Sequence, residues 1–199
     1  MNRYFVGIAG GSGSGKSTLA YNLQSRYPPR IGVLELDDFQ KTNELLSLLE
    51  GMPNRDHPSS VDFDSLISSI NLLKNGEPVS LMTKSLRLNP GYAKGGWRIP
   101  YTVMPKEIML IEGYCALWHP EVRSSFDYSI FLDASEELRV TRRSWRTKSD
   151  YIEKVLLPMH NQYIEPAKVH ADLIINVDGL DEGSLASLVE EHLKSRNIL

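Results

Sequence analysis

Residues 10–17 read Gly10-Gly11-Ser12-Gly13-Ser14-Gly15-Lys16-Ser17. They fit the pattern G-x-x-x-x-G-K-[ST], a loop whose backbone N–H groups turn inward around the phosphates of a nucleoside triphosphate. Glycines let the chain take those turns. The lysine sets a point charge on the β- and γ-phosphates, and the hydroxyl after it is placed to ligate Mg²⁺. The flanks agree with the motif. Tyr4-Phe5-Val6-Gly7-Ile8-Ala9 is an apolar, β-prone run, and Thr18-Leu19-Ala20-Tyr21-Asn22-Leu23-Gln24 continues with helix-compatible spacing. The helix that starts here turns its positive end to the phosphates. A flexible Gly/Ser linker has no reason to stand between a strand and a helix, or to carry a lysine at that offset.

Outward from this loop, apolar runs alternate with helical spacing. Strands are expected near 4–9, 31–36, 108–112, 128–132 and 173–177. Their runs are continuous rather than alternating, which predicts a parallel sheet covered on both faces. Helices are expected after the loop, over Asp62 to Lys74, Ser135 to Arg146, Tyr151 to Gln162 and Asp181 to Ser195, with a short amphipathic one at Asn43 to Leu49. Residues 79–105, punctuated by Gly91, Gly95 and Gly96, read as a β-hairpin arm with a basic border of Lys84, Arg87, Lys94, Arg98 and Lys106. We expect one α/β domain over 1–199.

Composition narrows the function. The chain has 199 residues, 41% hydrophobic and 24% charged, with a net charge of −3, which suits a globular chain and gives no basic surface for nucleic acid or anionic membrane. Its one cysteine, Cys115, excludes an intrachain disulfide and follows an apolar strand, so a buried structural thiol is expected. Five scattered histidines and a single thiol exclude a Cys/His metal cluster. Gly10 ends the N-terminal apolar run too early for a signal peptide, and no segment reaches membrane-span length. A cytoplasmic protein is expected.

In an open parallel sheet, ligands bind beyond the carboxyl ends of the strands. The second strand delivers Asp37 and Asp38 there, the third Glu112 and the fourth Asp133. Asp37 is the expected general base, able to take a proton from an attacking hydroxyl. Asp38 should point the other way, since neighbours on an extended strand do. Glu112 ends an apolar strand, where a lone charge is costly unless paired or metal-linked, and Mg²⁺ is its expected partner. Asp133 reads as a helix cap or structural partner. Arg139, Arg142, Arg143 and Arg146 lie on one helical face. Four cations together suit a triphosphate, whose oxygens guanidinium forks match. Trp145 and Tyr151, near this helix, could pack on a ligand, with core packing the expectation for Trp145; His160 and His170 read as structural.

Together these residues resemble the uridine kinase family, in the group that includes phosphoribulokinase and nicotinamide riboside kinase. The resemblance rests on Gly7 to Thr18, on Leu36-Asp37-Asp38-Phe39, on Asp56-His57-Pro58 with Val61-Asp62-Phe63-Asp64, on Ile111-Glu112-Gly113, on the four arginines, and on Pro158-Met159-His160 through Ile175. It implies a three-layer P-loop kinase fold with a hairpin arm and a short lid at about 139–151. It implies ATP and Mg²⁺ as cofactors and a small-molecule acceptor as partner, and it allows a homo-oligomer. Nucleotide would lie on Gly10, Gly11, Ser12, Gly13, Ser14, Gly15, Lys16, Ser17, Thr18 and Arg142. Ser17 and Glu112 would organise Mg²⁺. Asp37, Lys16, Arg143 and Arg146 would carry the chemistry. Asp56, with His57 beside it, would hold ribose hydroxyls, and Asp37 and Arg143 would also touch the acceptor.

The chain departs from the resemblance in two places. Uridine and cytidine kinases read the base with a tyrosine segment and a histidine on the hairpin. Here that stretch is Leu81-Met82-Thr83-Lys84-Ser85-Leu86-Arg87. The lid is cut to Thr147-Lys148-Ser149-Asp150. The expected reaction is transfer of the ATP γ-phosphoryl to a hydroxyl, foremost the 5′-hydroxyl of a ribonucleoside. Nicotinamide riboside, pantothenate, glycerate and sugar phosphates stay open as acceptors. A GTP-dependent switch is disfavoured, because the chain has neither Asn-Lys-x-Asp nor Asp-x-x-Gly.

Overall fold

The computed structural model describes residues 3–145 and 147–199. In chain order its elements begin β1 (Tyr4–Gly10), α1 (Lys16–Arg26), β2 (Ile31–Glu35), β3 (Leu48–Leu49), β4 (Met52–Pro53), α2 (Phe63–Asn75), β5 (Val79–Thr83) and α3 (Tyr92–Gly95). They continue as β6 (Ile99–Val103), β7 (Ile108–Glu112), α4 (Pro120–Ser124), β8 (Tyr128–Asp133), α5 (Glu136–Ser144), β9 (Leu173–Asn176) and α6 (Glu182–Ser195). The five expected strands form one parallel sheet in the order β2-β7-β1-β8-β9. β1 pairs with β7 from Tyr4↔Ile108 to Ile8↔Glu112 and with β8 from Val6↔Tyr128 to Gly10↔Leu132.

Two apolar layers cover the sheet. On one face Val6, Ile8, Leu110 and Ile130 meet Leu19 and Leu23 of α1 and Leu185, Val189 and Leu193 of α6. On the other, Phe5, Ala9, Ile111 and Phe131 meet Leu66, Ile70 and Leu73 of α2 and Val122 of α4. The alternation of a strand explains the split, since odd and even positions of β1 serve opposite layers. α2 begins where expected because Asp62 caps it, accepting from the Ser65 N–H at 3.1 Å. It ends at Gly76, whose φ of 86° suits glycine. The arm is the antiparallel pair β5–β6, registered from Val79↔Val103 to Thr83↔Ile99.

Two expectations fail. Asn43 to Leu49 is not a helix: a 3₁₀ turn at Asn43–Leu45 leads into the β3–β4 hairpin, with Leu45 and Leu48 exposed. Leu46 is buried and Leu49 half-buried, but Leu45 and Leu48 face solvent, so the segment covers single leucines rather than one helical face. Trp145 is not in the core, being 75% exposed just beyond α5. The expected 151–162 helix is present as a longer helical stretch over 149–164. Within it, π turns at Ile152–Leu156 and His160–Ile164 flank an α turn at Leu157–Met159. Pro158 has no N–H for the preceding turn, a known cause of such widening. Among the described residues no helix is long and apolar enough to cross a membrane.

Candidate functional site

β1 ends in the glycine loop and α1 rises from it. Gly13 and Gly15 take φ of 92° and 98°, values a side chain resists. A Cβ at Gly13 would also stand 2.9 Å from the Arg139 carbonyl oxygen. The loop therefore requires both its backbone conformation and the close approach of α5. Lys16 is buried, and its Nζ donates to the Gly11 carbonyl at 3.0 Å. Burial depresses its ammonium, while the nearby Glu112 and Asp37 carboxylates support it.

Ser17 and Glu112, ninety-five positions apart in the chain, meet through a 2.8 Å hydrogen bond from Oγ to Oε1. Register brings them together: β7 lies beside β1, and Glu112 is its last residue, level with Ile8. Glu112 is 4% exposed, and burial raises its carboxyl against the pull of Lys16. A buried carboxylate beside a hydroxyl, at a phosphate loop, supplies the hard oxygen donors that Mg²⁺ takes. Among the described residues no cluster of three or more His, Cys, Asp or Glu is arranged to hold a metal. Phosphate oxygens would complete the set, as they do where this ion is bound with its nucleotide.

The adjacent aspartates part as expected. Asp37 is exposed in the 3₁₀ turn Leu36–Phe39 after β2. Lys84 Nζ stands 3.9 Å from its Oδ2. Asp38 is buried and anchors the arm. It accepts from Thr83 Oγ1 at 2.9 Å, from the Lys84 N–H at 3.0 Å and from the Tyr101 hydroxyl at 2.8 Å. Arg98 adds hydrogen bonds to the Asp38 and Gln40 carbonyls. Lys84 also donates to the Gln40 side chain, whose Nε2 donates to the Arg55 carbonyl. The arm, the Asp37 turn and the Asp56 loop are thus one connected unit.

Asp56 is half-buried and accepts from the Tyr151 hydroxyl at 2.8 Å. Burial pushes its carboxyl up, and Tyr151, then Arg143, oppose that shift. His57 spends both ring nitrogens inside the protein. Its Nδ1 accepts from the Ser59 N–H at 3.0 Å, and its Nε2 lies 3.0 Å from the Tyr163 hydroxyl. It braces the loop that presents Asp56.

The arginines of α5 divide. Arg139 is buried against the loop, its Nε donating to Ala134 O at 3.3 Å. Arg142 Nη1 donates to the Gly13 carbonyl at 3.2 Å. Arg143 is partly buried and within electrostatic reach of Lys16 and Asp56. Arg146 lies outside the described residues. Arg139 Nη1, Arg143 Nε, Ser14 Oγ and His160 Nδ1 are buried without a hydrogen-bond partner among the described residues. Buried polar groups rarely go unpaired, and three of these four can donate. Donors gathered around a glycine loop suit an anion with several oxygens.

Sequence reasoning missed Lys84 and Gln40 as parts of this site, and it offered Tyr151 as a residue to pack on a ligand rather than as a partner of Asp56. A basic arm was legible, but which of its cations reaches Asp37 depends on the turn after Thr83. Asp133 is no helix cap: Ser135 caps α5, and Asp133 binds Lys168 Nζ at 2.7 Å. Cys115 is fully buried with its thiol pushed well up, as suits a structural residue.

A glycine phosphate loop at the end of the middle strand of a parallel sheet, with carboxylates at the neighbouring strand ends and arginines descending from a following helix, defines a P-loop kinase. The chain belongs to the phosphoribulokinase/uridine kinase family, whose model matches residues 5–181. It is 33% identical to a uridine kinase of Clostridium perfringens over 199 aligned residues, covering 93% of this chain and 92% of the relative. A uridine kinase of a Geobacillus species is 33% identical, over 98% of this chain and 94% of its own. Among solved structures, a possible uridine kinase from Bacillus stearothermophilus superposes with a TM-score of 0.58 at 23% identity, over 88% and 90% of the two chains. A shikimate kinase from Acinetobacter baumannii shares the fold with a TM-score of 0.52 at 14% identity, over 98% and 94%.

Proposed function

We propose that this kinase moves the γ-phosphoryl of ATP to the 5′-hydroxyl of a ribonucleoside of the uridine or cytidine type. The observation that carries this reading is the placing of Asp37. It is exposed beside the phosphate loop, within electrostatic reach of Lys16, Glu112 and Asp56. In this reading Asp37 accepts the proton of the attacking hydroxyl. The hydroxyl oxygen bonds to the γ-phosphorus as the bond to the β-bridging oxygen breaks, and ADP leaves. Lys16, the loop amides, Arg142 and Arg143 hold the phosphate charge, and Arg146 joins them by resemblance. Ser17 and Glu112 would hold Mg²⁺, which when bound neutralises charge between the β- and γ-phosphates. Asp56 takes the ribose diol, so ribose is preferred to deoxyribose. The relatives named uridine kinase support the acceptor class.

Lys84 favours a second reading. Its ammonium stands 3.9 Å from Asp37, the proposed base, on the stretch 81–87 that lacks the family's base-reading tyrosine and histidine. Such a cation suits an anionic acceptor such as glycerate, pantothenate or a sugar phosphate. The Asp37-Asp38-Phe39 segment, shared by resemblance with nicotinamide riboside kinases, keeps that nucleoside in view as well. The test is ADP release with Mg²⁺-ATP against uridine, cytidine, nicotinamide riboside, adenosine, pantothenate, glycerate and ribulose 5-phosphate, for wild type and Asp37→Ala. Release with one ribonucleoside, lost in the variant, supports the first reading. Release with an anionic compound alone replaces it by the second.

A further inference from the structure

Tyr151 stands where two parts of the site meet. Its hydroxyl accepts from the Arg55 N–H at 3.1 Å and donates to Asp56 Oδ2 at 2.8 Å. A hydroxyl has one proton to give, so accepting from the backbone and donating to the carboxylate fixes its orientation. The bond to a carboxylate is the stronger, charge-assisted kind. It occupies Oδ2, and among the described residues no hydrogen bond engages Oδ1, the oxygen left to meet a ligand.

The rest of the helical stretch 149–164 grips the same loop. Asn54 Nδ2 lies 3.2 Å from Met159 Sδ, while Asn54 Oδ1 accepts from the His57 N–H at 3.0 Å. Tyr163 meets His57 both through its hydroxyl at 3.0 Å and by edge-to-face ring contact at 4.8 Å. A cavity of about 10 Å³ separates this stretch from the phosphate loop, lined by Ser12, Asp56, Tyr114, Leu156, His160 and Ile164. Three side chains of one stretch thus hold the Asp56 loop, and Tyr151 alone bonds the functional carboxylate. The same stretch comes next in the chain after α5, whose Arg143 acts electrostatically on Asp56.

We infer that Tyr151 is a positioning residue for the phosphate acceptor: its hydroxyl aims Asp56 at the acceptor's vicinal diol and ties that carboxylate to the 149–164 stretch. This rests on the function proposed above. A carboxylate with one oxygen fixed presents the other at a constant angle, and two neighbouring hydroxyls are read only from a constant angle. Without the tyrosine hydroxyl, Asp56 turns about its own side-chain bonds, and the diol must pay to order it. The phosphate loop is untouched by that change. Acceptor affinity should therefore fall while nucleotide affinity and turnover hold.

The test is steady-state kinetics of wild type, Tyr151→Phe and Tyr151→Ala with Mg²⁺-ATP. Uridine, cytidine, adenosine and nicotinamide riboside serve as acceptors, and 2′-deoxyuridine and 2′-deoxycytidine are run alongside. For the ribonucleoside that wild type turns over, Tyr151→Phe is expected to raise its KM about tenfold, with kcat within about threefold and KM for ATP unchanged. The preference for ribose over deoxyribose should narrow with it. Tyr151→Ala should reproduce that pattern with an added loss of thermal stability. Tyr151→Phe kinetics equal to those of an active wild type overturn the inference and leave the proposed function standing. A joint fall of kcat, both affinities and melting temperature also overturns it, by showing a merely structural tyrosine. A wild type idle with every ribonucleoside overturns the proposed function itself, and the inference with it.

Discussion

Ser17 Oγ donates to Glu112 Oε1 at 2.8 Å, which joins the first residue turn of α1 to the end of β7 beneath the phosphate loop. Burial disfavours the Glu112 charge, and Lys16 restores part of it. Such a carboxylate is poised to exchange its neighbours for a divalent cation. Glu112→Gln keeps the shape and the hydrogen-bond reach but removes the anion. We expect kcat to fall roughly 10²-fold and the Mg²⁺ concentration for half-maximal activity to rise. Nucleotide binding without the metal should be retained. A magnesium titration of ADP release at saturating substrates reads this; an unchanged titration with full activity removes Glu112 from the proposed metal site.

Asp37 and Asp38 are neighbours with opposite tasks, and their variants should separate activity from stability. Asp37 is exposed, so Asp37→Asn should leave the urea midpoint nearly unchanged, within about 0.5 kcal/mol. As the proposed base it should cost about 10³-fold in kcat, with ATP affinity kept. Turnover at the wild-type rate would falsify its role as base.

Asp38→Ala should do the reverse. It leaves the Thr83 hydroxyl, the Lys84 N–H and the Tyr101 hydroxyl without their shared acceptor. Buried donors without partners are costly, and we expect a loss of about 3 kcal/mol in urea unfolding. The arm should loosen with it, seen as faster amide exchange along β5 and β6 while the central sheet stays protected. Equal exchange in both proteins would show that Asp38 does not anchor the arm.

These contrasts show what the sequence makes legible. The parallel sheet was readable because strands buried on both faces carry unbroken apolar runs, as in Ile108-Met109-Leu110-Ile111. The phosphate loop was readable because its backbone conformation demands glycine at fixed offsets. Asp37 and Glu112 followed from where such strands end. Tyr151 was not legible as a partner of Asp56, because ninety-five residues separate them and only the packing of the 149–164 stretch brings them together. Asn43 to Leu49 misled for a related reason. Helical spacing marks a face, but a helix forms only when something covers that face. Trp145 shows the same limit: size argues for burial, and position beyond the end of α5 decides otherwise.

His160 gives the site a dependence on pH that can be read without a substrate. Its side chain is 8% exposed, packed against the phosphate loop so closely that a Cβ at Gly11 would meet its ring at 2.9 Å. Burial and the nearby Arg139 and Lys16 push its imidazole down to about 4, while Glu165, 3.5 Å away, pulls the other way. In the unfolded chain a histidine titrates near 6.5. Between these values the unfolded state holds a proton that the folded state refuses, so acid favours unfolding. The stabilisation is complete above about pH 6.5 and is lost as the pH falls toward 4. By about pH 4.5 the loss is of the order of 2 to 3 kcal/mol relative to neutral pH. His160→Gln places a neutral amide there, so its stability should fall less than that of wild type between about pH 7.5 and 4.5. Urea unfolding of both proteins at the two pH values measures the difference, which cancels carboxylates common to both. Parallel losses would mean that His160 takes up its proton within the folded protein, and that the phosphate loop tolerates a third cation beside Lys16 and Arg139.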